Sequence, residues 1–420
     1  MVVRKGPRET PERGVHGVLH PLARKLQKRM AGGRSCCLDI DPASDSANRS
    51  ALRRILMKQA TVAASLALAF AFPALAHADG TAPAPSLGAV IAATPGLSLT
   101  GYLASTYTHF DTTPALRQFD TTQNGFTFNQ ASLTASYLPS SGFGGSVTLL
   151  GGSDATYLPG GTQMGVANAF VQYAQGNLTV MAGRLPTLAG MEVVSPLGNN
   201  EISRSLLFYS LEPIYHTGLR TAYAVNGALT VTAGVNEGFN HATQVTGTSK
   251  TIELGASGSP TKMFSYSAAY YYTGTGTYYT GSPGKEQLLD LVGNFTATDA
   301  LNFGLNIDLV SKDSYNGVGS GSGKADGYAL YANYAINDQF TLSGRGEYLD
   351  DKQGIASAAA GGMLGTPNKL KELTLALNYT PVKNVKLAAE LRQDKSDVLI
   401  FDNGSKNKQT SVELLAAYSF

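Results

Sequence analysis

The sequence predicts an all-β fold, a transmembrane antiparallel β-barrel of about 16 strands with short periplasmic turns and long extracellular loops. Three observations predict it: apolar and polar residues alternate, short and long connections alternate, and the last strand ends on an aromatic residue. The composition agrees, with 47 Gly and only 15% charged residues, against roughly 25% in a soluble domain. It disfavours a coiled coil, a charged disordered chain and an ordinary helical enzyme.

Residues 1–56 are a basic leader with 12 Lys and Arg against 5 Asp and Glu. They carry no recognition motif and no interleaved aromatic residues, so they do not predict nucleic-acid binding. Met57 is an alternative start, which leaves a misassigned gene start open. Cys36 and Cys37 both lie in this leader, so the chain after it has no cysteine for a disulfide or a thiolate metal site.

Residues 57–78 are a predicted signal peptide. Basic residues precede the apolar run 60–72, and Ala-His-Ala at 76–78 matches a small-residue cleavage site. The run is shorter than the ~20 residues of a spanning helix, which favours a cleaved signal over a membrane anchor. Cleavage before Asp79 would leave 79–95 as a Pro- and Ala-rich periplasmic lead-in to a barrel over 96–420.

The barrel region shows alternation with a period of two residues, as where Leu305 and Ile307 alternate with Asn306 and Asp308. Such alternation indicates a strand with one apolar and one polar face. The predicted strands are 96–110, 125–138, 142–152, 165–174, 177–184, 214–225, 228–236, 249–259, 262–273, 285–298, 300–311, 325–336, 338–350, 370–380, 383–394 and 407–420. Each is close to the 9–11 residues with which a tilted strand crosses a bilayer.

The connections between these strands alternate in length. The short ones are 139–141, 175–176, 226–227, 259–261, 299, 337 and 381–382. The long ones are 111–124, 153–164, 185–213, 237–248, 274–284, 312–324, 351–369 and 395–406. An outer-membrane barrel has short periplasmic turns and long extracellular loops, and 16 strands with both termini periplasmic require this order.

The C-terminal strand carries a predicted assembly signal, Tyr418 and Phe420, on its apolar face. A terminal Phe with an aromatic residue two positions earlier is typical of chains that the barrel-assembly machinery inserts; an ordinary final strand is the alternative. Ten tyrosines near predicted strand ends are expected to form aromatic girdles. They are Tyr102, Tyr107, Tyr137, Tyr173, Tyr223, Tyr279, Tyr328, Tyr348, Tyr379 and Tyr418.

Several segments resemble the OmpL-like β-barrel porins of Gram-negative bacteria. They are FNQ at 128–130, GGSD at 151–154, GRLP at 183–186, PLGNN at 196–200, SRSLLF at 203–208, PIYHTGLR at 213–220 and GVNEGF at 234–239. The resemblance is clearest over 100–240 and implies an outer-membrane channel for small solutes. It does not name a solute.

The polar faces of the strands are expected to line the lumen, because Arg or Lys on the lipid face costs about 2–4 kcal/mol at midplane. The candidate pore-lining and solute-contacting residues are Arg184, Arg220, Asp290, Asp308, Arg345, Glu347, Glu390 and Arg392, with Glu372 and Glu413 on the same face. These charges either form salt bridges that brace the interior or contact solutes, and the two roles are compatible.

The longest connection, 185–213, is a candidate constriction loop. Its charged residues are Glu192, Glu201, Arg204 and Glu212, and it also carries the apolar run Leu206-Leu207-Phe208. An external loop is normally more polar, so we expect this one to fold into the barrel and narrow the pore. An external loop packed on its neighbours is the alternative.

The function expected from these features is passive diffusion of small hydrophilic solutes across the outer membrane through a charged, water-filled lumen, with no reaction, no cofactor and no metal. His109, His216 and His241 form no metal-binding motif. The expected partners are outer-membrane lipid, the barrel-assembly machinery, small hydrophilic solutes and further copies of the chain, with no nucleic acid. The alternatives are a barrel with a structural or adhesive role and a plugged lumen, and a barrel lipid hydrolase.

Overall fold

The computed structural model describes residues 93–313, 321–356 and 366–420. The predicted leader, the signal peptide and most of the periplasmic lead-in lie outside the described residues. Among the described residues, no helix has the length and apolar character needed to cross a bilayer.

Sixteen strands make up the fold, as predicted. They are β1 (Leu97–Phe110), β2 (Asn124–Tyr137), β3 (Gly142–Gly151), β4 (Met164–Gln175), β5 (Leu178–Pro186), β6 (Tyr215–Asn226), β7 (Leu229–Asn236), β8 (Thr251–Gly258), β9 (Phe264–Gly276), β10 (Gly284–Thr296), β11 (Leu301–Asp313), β12 (Ser322–Ala335), β13 (Phe340–Asp351), β14 (Asn368–Tyr379), β15 (Val385–Ser396) and β16 (Lys408–Ser419). The predicted ends lie within three residues of these bounds. Within the described parts of the loops there are three short helical segments: the 3₁₀ turns Ser153–Tyr157 and Pro196–Gly198, and helix α1 (Leu206–Ser210).

Every strand pairs antiparallel with its neighbours in the sequence, and β1 pairs with β16 to close the barrel. Closure satisfies the backbone hydrogen bonds of both outer strands, as a spanning sheet in lipid requires. Seven short connections and eight long ones follow each other in strict order between the strands, which confirms the predicted barrel topology.

The alternating sequence turns its apolar side chains outward and its polar side chains inward. In β14, Leu373 and Leu375 are 61% and 52% exposed on the outer face, whereas Glu372 and Thr374 are buried on the inner face. This is the reverse of a soluble sheet protein and the arrangement expected where the outer face meets lipid.

The aromatic residues at strand ends follow the girdle prediction in part. Phe143 and Tyr173 pair on the outer face with ring centroids 4.9 Å apart. Two of the ten tyrosines do not belong to a girdle. Tyr102 points inward and donates to Gln130 Oε1 at 2.6 Å, and Tyr279 is buried in the connection between β9 and β10, where it donates to the Leu211 carbonyl.

The C-terminus closes the seam between β1 and β16. The Phe420 amide donates to the Gly101 carbonyl at 2.9 Å, and the Gly101 amide donates to the Phe420 carbonyl at 3.0 Å. The Phe420 ring lies against Gly101, where any side chain would collide with it. Phe420 therefore contributes to the fold itself, in addition to its predicted role as an assembly signal.

Candidate functional site

The connection between β5 and β6, residues 187–214, lies inside the barrel. The Leu188 amide donates to Tyr271 Oη of β9 at 2.9 Å. The Met191 amide donates to Asn306 Oδ1 of β11 at 2.8 Å. These acceptors are on the inner faces of their strands, so the loop has the inward arrangement rather than the external one. We call residues 187–214 the lumen loop.

Apolar packing anchors the lumen loop on one wall. Leu206, Leu207 and Leu211 are fully buried. They pack in a cluster with inward residues of β9 to β14, among them Leu288 and Leu349. Burying a leucine side chain contributes about 1.5–3 kcal/mol. The apolar run of the lumen loop that begins at Leu206, which is unusual for an external loop, thus covers an apolar strip on the inner wall.

Arg345 of β13 is the centre of a polar contact between wall and loop. Its Nη1 lies 2.6 Å from Glu192 Oε1 of the lumen loop and 3.0 Å from the Ser203 carbonyl. Its Nε lies 3.2 Å from Glu372 Oε2 of β14. The Arg345 side chain is fully buried. Charge-assisted hydrogen bonds of this kind are stronger than neutral ones, and here they tie the loop to two strands.

Two wall carboxylates accept hydrogen bonds from the loop backbone. Glu347 accepts from the amides of Leu206 and Leu207, at 2.9 and 3.3 Å, where α1 begins. Glu390 accepts from the amide of Ile202 at 2.5 Å and from that of Ser203 at 3.2 Å. These carboxylates satisfy amides that would otherwise be buried without acceptors.

Arg392 of β15 extends the contact toward β16. It donates to the Arg204 carbonyl of the lumen loop at 2.5 Å and pairs with Asp394 at 2.7 Å. Arg117, from the connection between β1 and β2, lies 3.1 Å from the same Asp394 and 3.7 Å from Glu413. A second loop therefore also turns inward. The sequence reasoning missed Arg117, because nothing local marks it as a partner of residues almost 300 positions away.

The other predicted loop charges contact the loop's own backbone or are isolated. Arg204 donates to the carbonyls of Val193, Val194 and Ile202 at 2.7–2.9 Å. Glu201 is buried, and its Oε1 has no hydrogen-bond partner among the described residues. Burial, opposed by Arg345 and reinforced by the nearby Glu192 and Glu390 carboxylates, raises the pKa of Glu201 to about 7.

Arg220 and Arg184 lie away from the Arg345 contacts. Arg220 of β6 forms a bidentate pair with Glu253 of β8, with nitrogen to oxygen distances of 2.5 and 2.8 Å. Arg184 lies near the extracellular end of β5, where it donates to the Val166 carbonyl at 2.6 Å and stacks over the Tyr215 ring. Arg184 is opposite Thr217 and shares its strand face with the exposed Ala182.

The remaining predicted residues form a third group. Asp290 of β10 and Asp308 of β11 are directly opposite each other in the sheet, and Glu212 of the lumen loop meets them. Burial and the Asp290 and Glu192 carboxylates raise the pKa of Glu212 well above its ordinary value.

Many inward residues in the periplasmic half of the wall carry small uncharged polar side chains. The strand registers place these residues inward: Ser98, Thr100, Thr134, Ser136, Thr148, Thr179, Thr230, Thr232, Ser257, Ser265, Ser267, Asn294, Asn302, Asn333, Thr341 and Asn378. Lys386 is the charged inward residue at this level among those described, and its ammonium donates to the loop carbonyls of Pro196 and Asn199. The wall therefore offers hydroxyl and amide groups to water or solute.

The lumen loop also approaches the opposite wall. The Val194 carbonyl accepts from Gln130 Nε2 of β2 at 3.0 Å. Between Ile202 and Arg204 on the loop and Thr106 and Gln130 on the wall lies a cavity of about 20 Å³. That volume accommodates roughly one water molecule. The loop thus reaches most of the way across the barrel at this height.

The sequence over residues 96–420 matches the family model "Putative beta-barrel porin-2, OmpL-like". The chain belongs to this family. The match confirms the resemblance found in the sequence, and it assigns the barrel to the outer membrane as a porin. Among curated protein sequences, none matches the chain.

Solved structures of other outer-membrane proteins share the fold. The outer membrane channel DcaP of Acinetobacter baumannii aligns with a TM-score of 0.54 at 15% identity, over 77% of this chain and 97% of that one. The anion-selective porin from Comamonas acidovorans aligns with a TM-score of 0.52 at 13% identity, over 77% and 99%. The trimer form of OmpT of Vibrio cholerae aligns with a TM-score of 0.53 at 13% identity, over 77% and 99%. At these identities the likeness shows the fold.

Proposed function

We propose that this porin is a passive diffusion channel for small hydrophilic solutes, narrowed by the lumen loop. The observation that carries the proposal is the position of that loop, which crosses the barrel interior above a wall of hydroxyl and amide groups. Hydroxyl and amide groups replace the hydrogen bonds of a hydrated solute without holding it by charge. A narrow passage then selects mainly by size.

Of the two roles expected for the predicted charges, bracing the interior and contacting solutes, this proposal gives them the first. The sequence left open whether these charges contact solutes. Arg345 touches Glu192 of the loop directly, and both side chains are buried. Paired buried charges have little effect on an ion that passes at a distance. We therefore assign Arg345, Glu347, Glu390 and Arg392 to holding the loop, and solute contact to the uncharged wall.

Planar-bilayer recording and liposome swelling test this function together. Purified protein should conduct in both KCl and a salt with a larger, slower cation. Proteoliposomes should swell at rates that fall steeply with the size of neutral sugars or polyols. A folded barrel that conducts no ions and admits no solute would refute the proposal.

A barrel with a structural or adhesive role and a plugged lumen is the second candidate. The cavity of about 20 Å³ beside the loop and the buried contacts of Arg117 favour it. It predicts a heat-modifiable, correctly inserted protein without conductance. The same recordings therefore separate the two candidates.

We further infer that the protein catalyses no reaction, since its family is one of channels. A lipid hydrolase would release fatty acid from phospholipid vesicles, and we expect none. Association of identical barrels is supported by the trimer form of the structurally similar OmpT, and cross-linking in native membranes tests it. We expect the C-terminal strand to be the segment that the assembly machinery binds.

A further inference from the structure

Three acidic side chains meet where the lumen loop touches β10 and β11. Glu212, Asp290 and Asp308 each offer a carboxylate oxygen, and the three oxygens lie within 4.8 Å of one another. Glu212 is 3% exposed, and Asp290 and Asp308 are 0% exposed. We call these residues the acidic triad.

The acidic triad has no counter-charge in the described part of the chain. No basic side chain pairs with any of its members there, and both oxygens of Asp308 and Oδ1 of Asp290 have no hydrogen-bond donor. The side-chain amide of Asn306 donates to Asp290 Oδ2 at 2.8 Å. Two other buried carboxylates in the lumen are neutralised: Glu286 lies 3.0 Å from Lys312, and Glu253 pairs with Arg220.

Unpaired carboxylates at this depth are costly. An isolated buried charge is tolerated only when it is paired, bound to a metal or protonated. Three carboxylates in contact also repel one another, so protons or a cation must neutralise the group.

The loop backbone packs closely against the acidic triad at Gly190. Gly190 has a φ of +89°, which favours glycine, and any side chain at this position would collide with Glu212 Oε2. The loop therefore approaches the carboxylate with bare backbone.

We propose that the acidic triad binds one calcium ion. Carboxylate oxygens are the ligands that Ca²⁺ prefers, at 2.3–2.6 Å. Two oxygens on opposite sides of such an ion are up to about 5 Å apart, which suits a triad within 4.8 Å. Mg²⁺ binds at about 2.1 Å and retains several waters, so it fits a dry site less well. The bound ion joins Glu212 of the loop to Asp290 and Asp308 of the wall, and so fastens the end of the loop that Arg345 does not reach.

Calcium titration of the purified barrel tests this proposal independently of conductance. Protein refolded without lipopolysaccharide and freed of divalent ions with a chelator is titrated with CaCl₂ in a calorimeter. Wild type should bind one ion at a saturable site, and Asp308→Asn should weaken binding at least tenfold. The matched control is Glu253→Gln, which removes a buried lumen carboxylate outside the triad and should retain wild-type affinity.

Terbium luminescence gives a second readout at the site. Tb³⁺ replaces Ca²⁺ and is excited through nearby tyrosines, and Tyr278 donates to the Glu212 carbonyl at 2.8 Å. The chain has no Trp to interfere. We expect emission that CaCl₂ quenches in wild type and that is lost in Glu212→Gln, a loop substitution that serves also if Asp308→Asn does not fold.

Absence of calcium uptake by folded wild type, or equal affinity in wild type and both triad variants, would overturn the proposal. Protonation would then be what neutralises the acidic triad. Failure of conductance with intact calcium binding would count against the channel function and leave this site standing.

Discussion

Replacing Glu201 by Gln should stabilise the barrel at neutral and alkaline pH. Glu201 lies buried in the lumen loop, and burial raises its pKa from 4.5 to about 7. In the unfolded chain its carboxyl loses the proton near its ordinary value. In the folded barrel it keeps the proton until the pH approaches 7. Folding therefore becomes less favourable as the pH rises from about 4.5 to 7, and the loss is complete above 7.

The size of the effect follows from that difference in pKa. Each pH unit between the two values costs 1.36 kcal/mol, so the ionisable side chain destabilises the fold by about 3 kcal/mol at pH 8. Glutamine has the same shape without the charge, and it removes this cost. At pH 4, where most of the carboxyl is protonated in both states, Glu201→Gln should have little effect.

Urea unfolding in phospholipid vesicles at pH 4 and pH 8 measures this difference. The control is Asp338→Asn, which removes a carboxylate from an exposed periplasmic turn and should change stability little at either pH. If the Glu201→Gln barrel is no more stable than wild type at pH 8, Glu201 is hydrated in the lumen. The lumen loop would then not be closely packed around this side chain.

Three further outcomes are expected. Arg345→Met leaves Glu192 buried without its ion-pair partner and leaves Glu372 with Arg392 at 3.7 Å, so it should cost about 3–5 kcal/mol in urea unfolding; unchanged stability would mean that these contacts do not hold the loop. Deleting Phe420, or introducing Gly101→Leu at the position its ring covers, should lower the yield of heat-modifiable barrel in outer membranes, and normal yield in both would contradict a role at the seam. Intact mass of outer-membrane material should begin at Asp79, whereas a chain that retains Cys36 would refute the signal-peptide prediction.

The barrel could be predicted from the sequence because the alternation of apolar and polar residues in each strand shows which side chains face lipid and which face the lumen. Alternation in a segment such as 370–380 depends only on neighbouring residues, and strand order follows from connection length. The inward position of Arg345 and Glu347 followed from the same parity. The alternation within a strand does not show which loop covers a residue. For this reason the direct contact between Arg345 and Glu192 was not predicted.

The parts of the site that were missed depend on contacts between distant segments. The acidic triad needs the register of β10 with β11 and the path of the lumen loop together. Arg117 reaches Asp394 only because the first loop turns inward. Arg184 was expected among the pore-lining residues. It lies near the end of β5, which continues to Pro186, and the Arg184 guanidinium stacks on Tyr215.

Single-channel conductance of wild type and of a barrel with a shortened lumen loop tests the central claim most directly. The shortened loop joins Leu188 to Pro213 through a few glycines and so removes the segment between Glu192 and Leu211 that fills the interior. Because this segment occupies the lumen, its removal should raise conductance severalfold while the protein remains a heat-modifiable barrel. Equal conductance in the two proteins would contradict a passage narrowed by the lumen loop.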